Sequence, residues 1–226
     1  MMIGLYLLLN LAVLWIVARA ASASGARLMA MLFLAGFVVG SANSLVEAVF
    51  FHVLGPKEVV TAAVAAGILF AILSPLAVLL AGRWRNGAAR TEGGGFTPLT
   101  LLGVVAAYEL LYWSAGTLVF PYIEHFYATR ALPPGYAVAA MQVLRSLIFV
   151  GAVYPLLKSG LRAAPLVLAL VYSVIGGIAP LLPDNPYMPP DVRFYHGIEV
   201  TVSNFIFGLV VGILFGWRPR SAAAQA

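Results

Sequence analysis

Cysteine is absent from the 226-residue chain. Disulfides, Cys-ligated zinc, iron–sulfur clusters and thiol catalysis are therefore excluded. Charge is nearly as scarce: Asp, Glu, Lys and Arg make up 9% of the residues, against about 25% in ordinary soluble domains. Familiar catalytic strings are missing too. There is no GxxxxGK[ST] phosphate loop, no HExxH zinc signature and no GxSxG nucleophile elbow. The last apolar stretch, 194–217, has no lysine to form a Schiff base.

Apolar side chain fills the chain instead, at 62% against a usual level of about 45–50%. No soluble core absorbs that much, and the same excess excludes intrinsic disorder. The composition predicts an all-α, polytopic integral membrane protein. Inside lipid every backbone N–H and C=O must be paired within the segment, which favours helices. The short alternating strands of a membrane barrel do not appear. Stretches of about 20 apolar residues are long enough to cross a bilayer. Seven occur, at 3–20, 28–54, 59–82, 98–122, 137–157, 163–182 and 194–217. They predict one transmembrane helical domain over 1–220, with 221–226 (SAAAQA) as a disordered tail.

The net charge of +5 does not gather on one face, which excludes the usual nucleic-acid footprint. The basic residues fall at the ends of the stretches instead. Arg19, Arg27, Arg83, Arg85, Arg90, Lys158, Arg162, Arg218 and Arg220 share one side, and Lys57, Arg130 and Arg193 the other. Nine against three predicts an N-terminus outside and a C-terminus in the cytoplasm. Ala21-Ser22-Ala23 resembles a signal-peptidase site, yet no positive charge precedes residues 2–18 and Arg19 follows them. That pattern reads as a first span rather than a secretory signal. Residues 83–97 read as a basic, glycine-rich cytoplasmic loop. The outer loop 183–193 holds four prolines and reads as stiff and extended.

Ionisable side chains at membrane depth are costly and mark candidate sites. Glu47, Glu109, Arg145 and Glu199 are the four. At a 1.5 Å rise per residue, Glu199 lies about 7–8 Å below the outer helix ends, Glu47 about 10 Å, Arg145 about 13 Å and Glu109 about 20 Å. One Arg faces as many as three carboxylates, so convergence would leave at least one of them free to hold a proton or a cation. Polar neighbours share their faces: Asn43 with Glu47, Gln142 with Arg145, and His196 with Glu199 and Ser203, with Asn204 to one side. Glu109, Tyr112, Trp113, Gly116 and Thr117 line one face of the fourth stretch.

The expected site is an outward-facing pocket lined by Glu47, Arg145 and Glu199. Asn43, Gln142, Ser203 and Asn204 complete it, Tyr112 and Trp113 wall it, and Glu109 stands deeper. A plain alternative is that Glu–Arg pairs only hold helices together. The histidines give a competing idea. His52, His125 and His196 all sit near outer helix ends and, with a carboxylate, would suit zinc, copper or non-haem iron, or a haem between two of them. Their plain alternative is interfacial anchoring. Tyr122, Tyr127, Tyr136, Tyr187, Tyr195, Trp84 and Trp217 read as an aromatic belt. Pro75, Pro121, Pro155 and Gly176-Gly177 are candidate helix breaks.

Three functions fit this pattern. One is binding or translocation of a small polar or charged solute. Another is a membrane-embedded enzyme acting on a lipid or other apolar substrate, with His196 and Glu199 as base and acid or metal ligands. The third is a non-catalytic subunit of a membrane complex. Membrane lipids are expected partners in all three, and nucleic acid in none.

Overall fold

The computed structural model describes residues 2–85, 87, 97–128 and 131–216. The expectations for Arg90, Arg130, Trp217, Arg218, Arg220, the 221–226 tail and most of the 83–97 loop fall outside the described residues. Seven helices are long and apolar enough to cross a membrane. They are α1 (Met2–Ala20), α2 (Gly25–Phe50), α3 (Pro56–Leu80), α4 (Pro98–Tyr127), α5 (Gly135–Lys158), α6 (Ala164–Leu181) and α7 (Pro190–Gly216). Among the described residues there is no strand, only an isolated bridge between Ala21 and Leu161.

Local chemistry sets the ends. Thr97 caps α4 in a reciprocal pair with Thr100, and Pro98 occupies its first turn. Pro56 opens α3 after Gly55. α2 stops at Phe50 rather than 54, because the chain must reverse before Pro56. His52 makes that reversal with a left-handed backbone, φ 54°. α4 runs on to Tyr127 rather than ending near 122. At 30 residues it is about 45 Å long, longer than a hydrocarbon core of about 30 Å.

α7 begins at Pro190 rather than 194, and the loop before it is turned rather than extended. Asn185 Oδ1 accepts from the Tyr187 N–H, and the Met188 N–H donates to the Asn185 carbonyl. Arg193 ties the loop down by donating to the Pro183 carbonyl at 3.0 Å. An asparagine turn and an arginine clamp thus override the extended bias of four prolines.

Both α2 and α6 contain π-helical segments, at Val38–Ala42 and Val171–Ile178. The two segments meet through glycine. A Cβ at Gly40 would lie 2.9 Å from Ile175 Cγ2, and one at Gly176 would lie 2.9 Å from Val39 Cγ1. Lower in the bundle, Gly208 and Gly212 of α7 touch the α6 backbone at Leu168–Ala169 and Ala164–Pro165. This is the small-residue contact that lets membrane helices approach closely. Pro75, Pro121 and Pro155 lie inside intact helices. α5 and α6 are the most enclosed helices and α4 the least.

One end of the bundle is laced shut. Arg83 Nη2 donates to the carbonyls of Ala21, Ser22 and Ala23 at 2.8–3.0 Å. Arg162 Nη2 donates to the Arg19 carbonyl at 2.7 Å. Arg19, Arg83 and Arg162 therefore share one end, as the charge count requires. The other end, built from the 51–55, 131–134 and 182–189 loops, is open.

Candidate functional site

The open end leads into a cavity of about 730 Å³ between α2, α4, α5, α6 and α7. Glu47, Arg145, Glu199, Ser203, Asn204, Tyr112, Trp113 and His196 all line it. Four helices, α2, α4, α5 and α7, bring these eight expected residues together. Asn43, Gln142 and Glu109 stand behind the wall, and His52 and His125 lie apart from it.

The α2–α5 side carries an ion pair. Arg145 Nη2 donates to Glu47 Oε2 at 2.9 Å, and Arg145 Nη1 donates to Gln142 Oε1 at 3.1 Å. The Arg145 side chain is 9% exposed and that of Glu47 24%. The guanidinium carbon lies 5.9 Å from the Tyr108 ring centroid, within cation–π range. Among the described residues, Arg145 Nε, Gln142 Nε2 and both polar atoms of the Asn43 side chain find no hydrogen-bond partner, and all are buried. The pair is thus held from behind by Gln142 and reached from the cavity through Glu47.

The α7 side carries a second pair. His196 Nδ1 and Glu199 Oε2 are 3.1 Å apart. With Glu199 ionised, Nδ1 is the donor, because a carboxylate oxygen only accepts. Glu199 Oε1 points toward α4, where a Cβ built at Gly116 would lie 3.7 Å away. Glycine at 116 leaves that carboxylate room. Ser203 donates to the Glu199 carbonyl at 2.7 Å. Asn204 is a fastener as well as a lining residue. Its Nδ2 donates to the Tyr172 and Gly176 carbonyls of α6, at 3.3 and 3.2 Å. π-helical geometry shifts the carbonyl ladder of α6, and Asn204 takes up two of its oxygens.

α4 supplies the aromatic wall. Trp113 Nε1 donates to Glu109 Oε2 at 2.9 Å, so Glu109 fixes the indole from outside the cavity. The Glu109 Oε1 is buried and has no hydrogen-bond partner among the described residues. Tyr112 packs edge-on against Trp113, with ring centroids 5.6 Å apart. The floor is an aromatic cluster. Tyr108 and Phe207 pack at 4.8 Å, with Phe149 and Tyr172 behind them. The Tyr172 hydroxyl donates to the Phe149 carbonyl at 2.9 Å. The lining reaches no deeper than Tyr108, Arg145 and Phe207.

The histidines do not converge. His125 pairs with Asp191 across the α4–α7 mouth at 3.1 Å, well exposed. His52 sits exposed in its left-handed turn. Among the described residues no group of three or more His, Asp or Glu side chains is placed to hold a metal ion. Tyr122 and Tyr195 stack at 4.7 Å beside the His125–Asp191 pair.

Some of the wall escapes sequence reasoning. Asn185, Tyr187 and Met188 close it from a loop that reads as extended, and Phe51 and Leu54 from a segment that reads as helix. The Gly208–Gly212 spacing signals the α6–α7 contact, whereas nothing in the sequence marks the floor formed by Tyr108 and Phe207. No match to a protein family, a curated protein or a solved structure was found, so this geometry alone carries the functional reading.

Proposed function

We propose that this chain is a seven-span membrane protein that holds a small solute bearing a polar or charged group. In this reading its N-terminus lies outside and its C-terminus in the cytoplasm. Nine basic residues against three support that orientation. The cavity then opens outward, between the helix ends that carry Lys57 and Arg193.

The observation that carries the reading is the cavity itself. Its volume of about 730 Å³ lies in the range of sites for small molecules, about 300–1,000 Å³. Its walls are mostly apolar and aromatic, with a few polar groups set into them, as such sites require. Translocation would need the Tyr108–Phe207 floor to move, so binding is the primary act. The enzyme alternative uses Arg145 to grip an anionic head group, but Glu47 already neutralises that guanidinium at 2.9 Å.

The test is ligand-dependent stability of the purified protein. A solute at a hundred times its Kd stabilises by about 2.7 kcal/mol, a readily measured rise in melting temperature. Gly116→Leu, placing a side chain beside Glu199, should remove that rise and melt as the parent does without solute. A rise that survives Gly116→Leu, or none across a broad panel of polar and amphipathic solutes, contradicts the reading.

A further inference from the structure

We propose that the solute is an organic cation with an apolar body, an amine or quaternary ammonium, and that Glu199 is its counter-ion. The proposal rests on the cavity being a binding site and adds the chemical class.

The charged groups of the lining fall into two pairs. Glu47 and Arg145 neutralise each other at 2.9 Å. An anion at Arg145 would meet a guanidinium that Glu47 already neutralises, with Nη1 given to Gln142. The other pair is different. His196 Nδ1 faces only one oxygen of Glu199, and an imidazole, unlike a guanidinium, is not a permanent cation. The second oxygen of Glu199 points into the space beside Gly116. With two carboxylates against one guanidinium, the lining holds one carboxylate more than its permanent cation neutralises.

The walls favour the same class. Tyr112, Trp113, Phe120 and Phe51 line the same cavity. Aromatic faces attract cations, most strongly where water is excluded. A carboxylate set among aromatic rings suits an ammonium group with an apolar body. It would repel a carboxylate, sulfonate or phosphate, because like charge at short range is costly in a partly dry site.

The experiment places a cysteine at Ser203→Cys in this cysteine-free chain and follows its alkylation by neutral N-ethylmaleimide. Three probes of similar shape compete: benzyltrimethylammonium, neutral N-benzylacetamide and anionic benzylsulfonate. The cation should protect at a concentration about tenfold or more below the neutral probe, a difference of about 1.4 kcal/mol, and the anion should not protect. Adding Glu199→Gln should remove the cation's advantage. The double variant Glu47→Gln/Arg145→Gln should keep it, since it deletes the neutral pair and leaves Glu199.

No protection by the cation overturns the assignment, as does equal protection by the neutral probe or stronger protection by the anion. In the latter two cases the cavity still stands as a binding site. Loss of the cation's advantage in the double variant overturns Glu199 as counter-ion, even where Glu199→Gln fails to fold. A cysteine at 203 that never alkylates overturns the binding-cavity reading itself.

Discussion

The two halves of α7 face opposite demands. Its first half presents His196, Glu199 and Ser203 to open space. Its second half lays Gly208 and Gly212 directly on the α6 backbone. The same helix is a wall in one place and a seam in the other. Where side chains are absent the backbones touch and nothing is left to bind. Where carboxylate, imidazole and aromatic rings replace glycine, the helices stand apart and a cavity remains. α6 repeats the contrast through its π-helical segment, which meets α2 at Gly176 and lends two carbonyls to Asn204. π-helical segments recur at functional sites because they re-aim side chains within an otherwise regular helix.

Breaking the seam should have the largest effect. Gly212→Leu forces a side chain into the Ala164–Pro165 backbone and should cost about 3 kcal/mol or more. The expected readout is loss of a monodisperse peak on size-exclusion chromatography in detergent. A well-folded Gly212→Leu protein would show that the seam is loose.

Breaking the pair on the cavity side comes next. Arg145→Gln strands Glu47 in a half-buried position and should destabilise by about 2–3 kcal/mol. Glu47→Gln/Arg145→Gln should recover more than half of that loss, because it removes both charges. Thermal melting of the four proteins in the cycle measures the coupling. Equal melting of the single and double variants would show that the two charges act independently.

The smallest effect lies at the turn after α2. His52 is exposed with φ 54°, and a left-handed non-glycine residue costs about 1–2 kcal/mol. Part of that is returned by the entropy glycine loses on folding. His52→Gly should therefore stabilise by about 0.5 kcal/mol, seen as a small rise in melting temperature. A loss of stability would show that the imidazole contributes a contact there.

The sequence makes the seam and the cavity legible to different degrees. All seven spans follow from hydropathy, because lipid tolerates little but helix. That Arg145 meets a carboxylate follows from depth, since a lone arginine in a membrane interior must find one; that the partner is Glu47 rather than Glu199 does not. The separation of Asn43 and Gln142 from the cavity does not follow. A helical wheel places Asn43 beside Glu47, and both lie in the regular α-helical segment Asn43–Phe50, but Asn43 sits one turn deeper, where the bundle closes over it. His52 is misplaced by the same kind of reasoning. The wheel sets it about 140° from Glu47, yet it lies beyond the end of α2. Periodicity gives a face; it gives neither how closely the bundle packs at a given depth nor where the helix ends.

The most direct test of the central claim uses chemical access from one side of the membrane. In intact cells, Ser203→Cys should react with an impermeant cationic thiol reagent added outside. Ser146→Cys, fully buried on α5, should not react, and Arg85→Cys, at the laced end, should react only after the cells are opened. That pattern would place a water-filled cavity on the outer face. Reaction of Ser203→Cys only from the Arg85 side, or no reaction from either side, would contradict it.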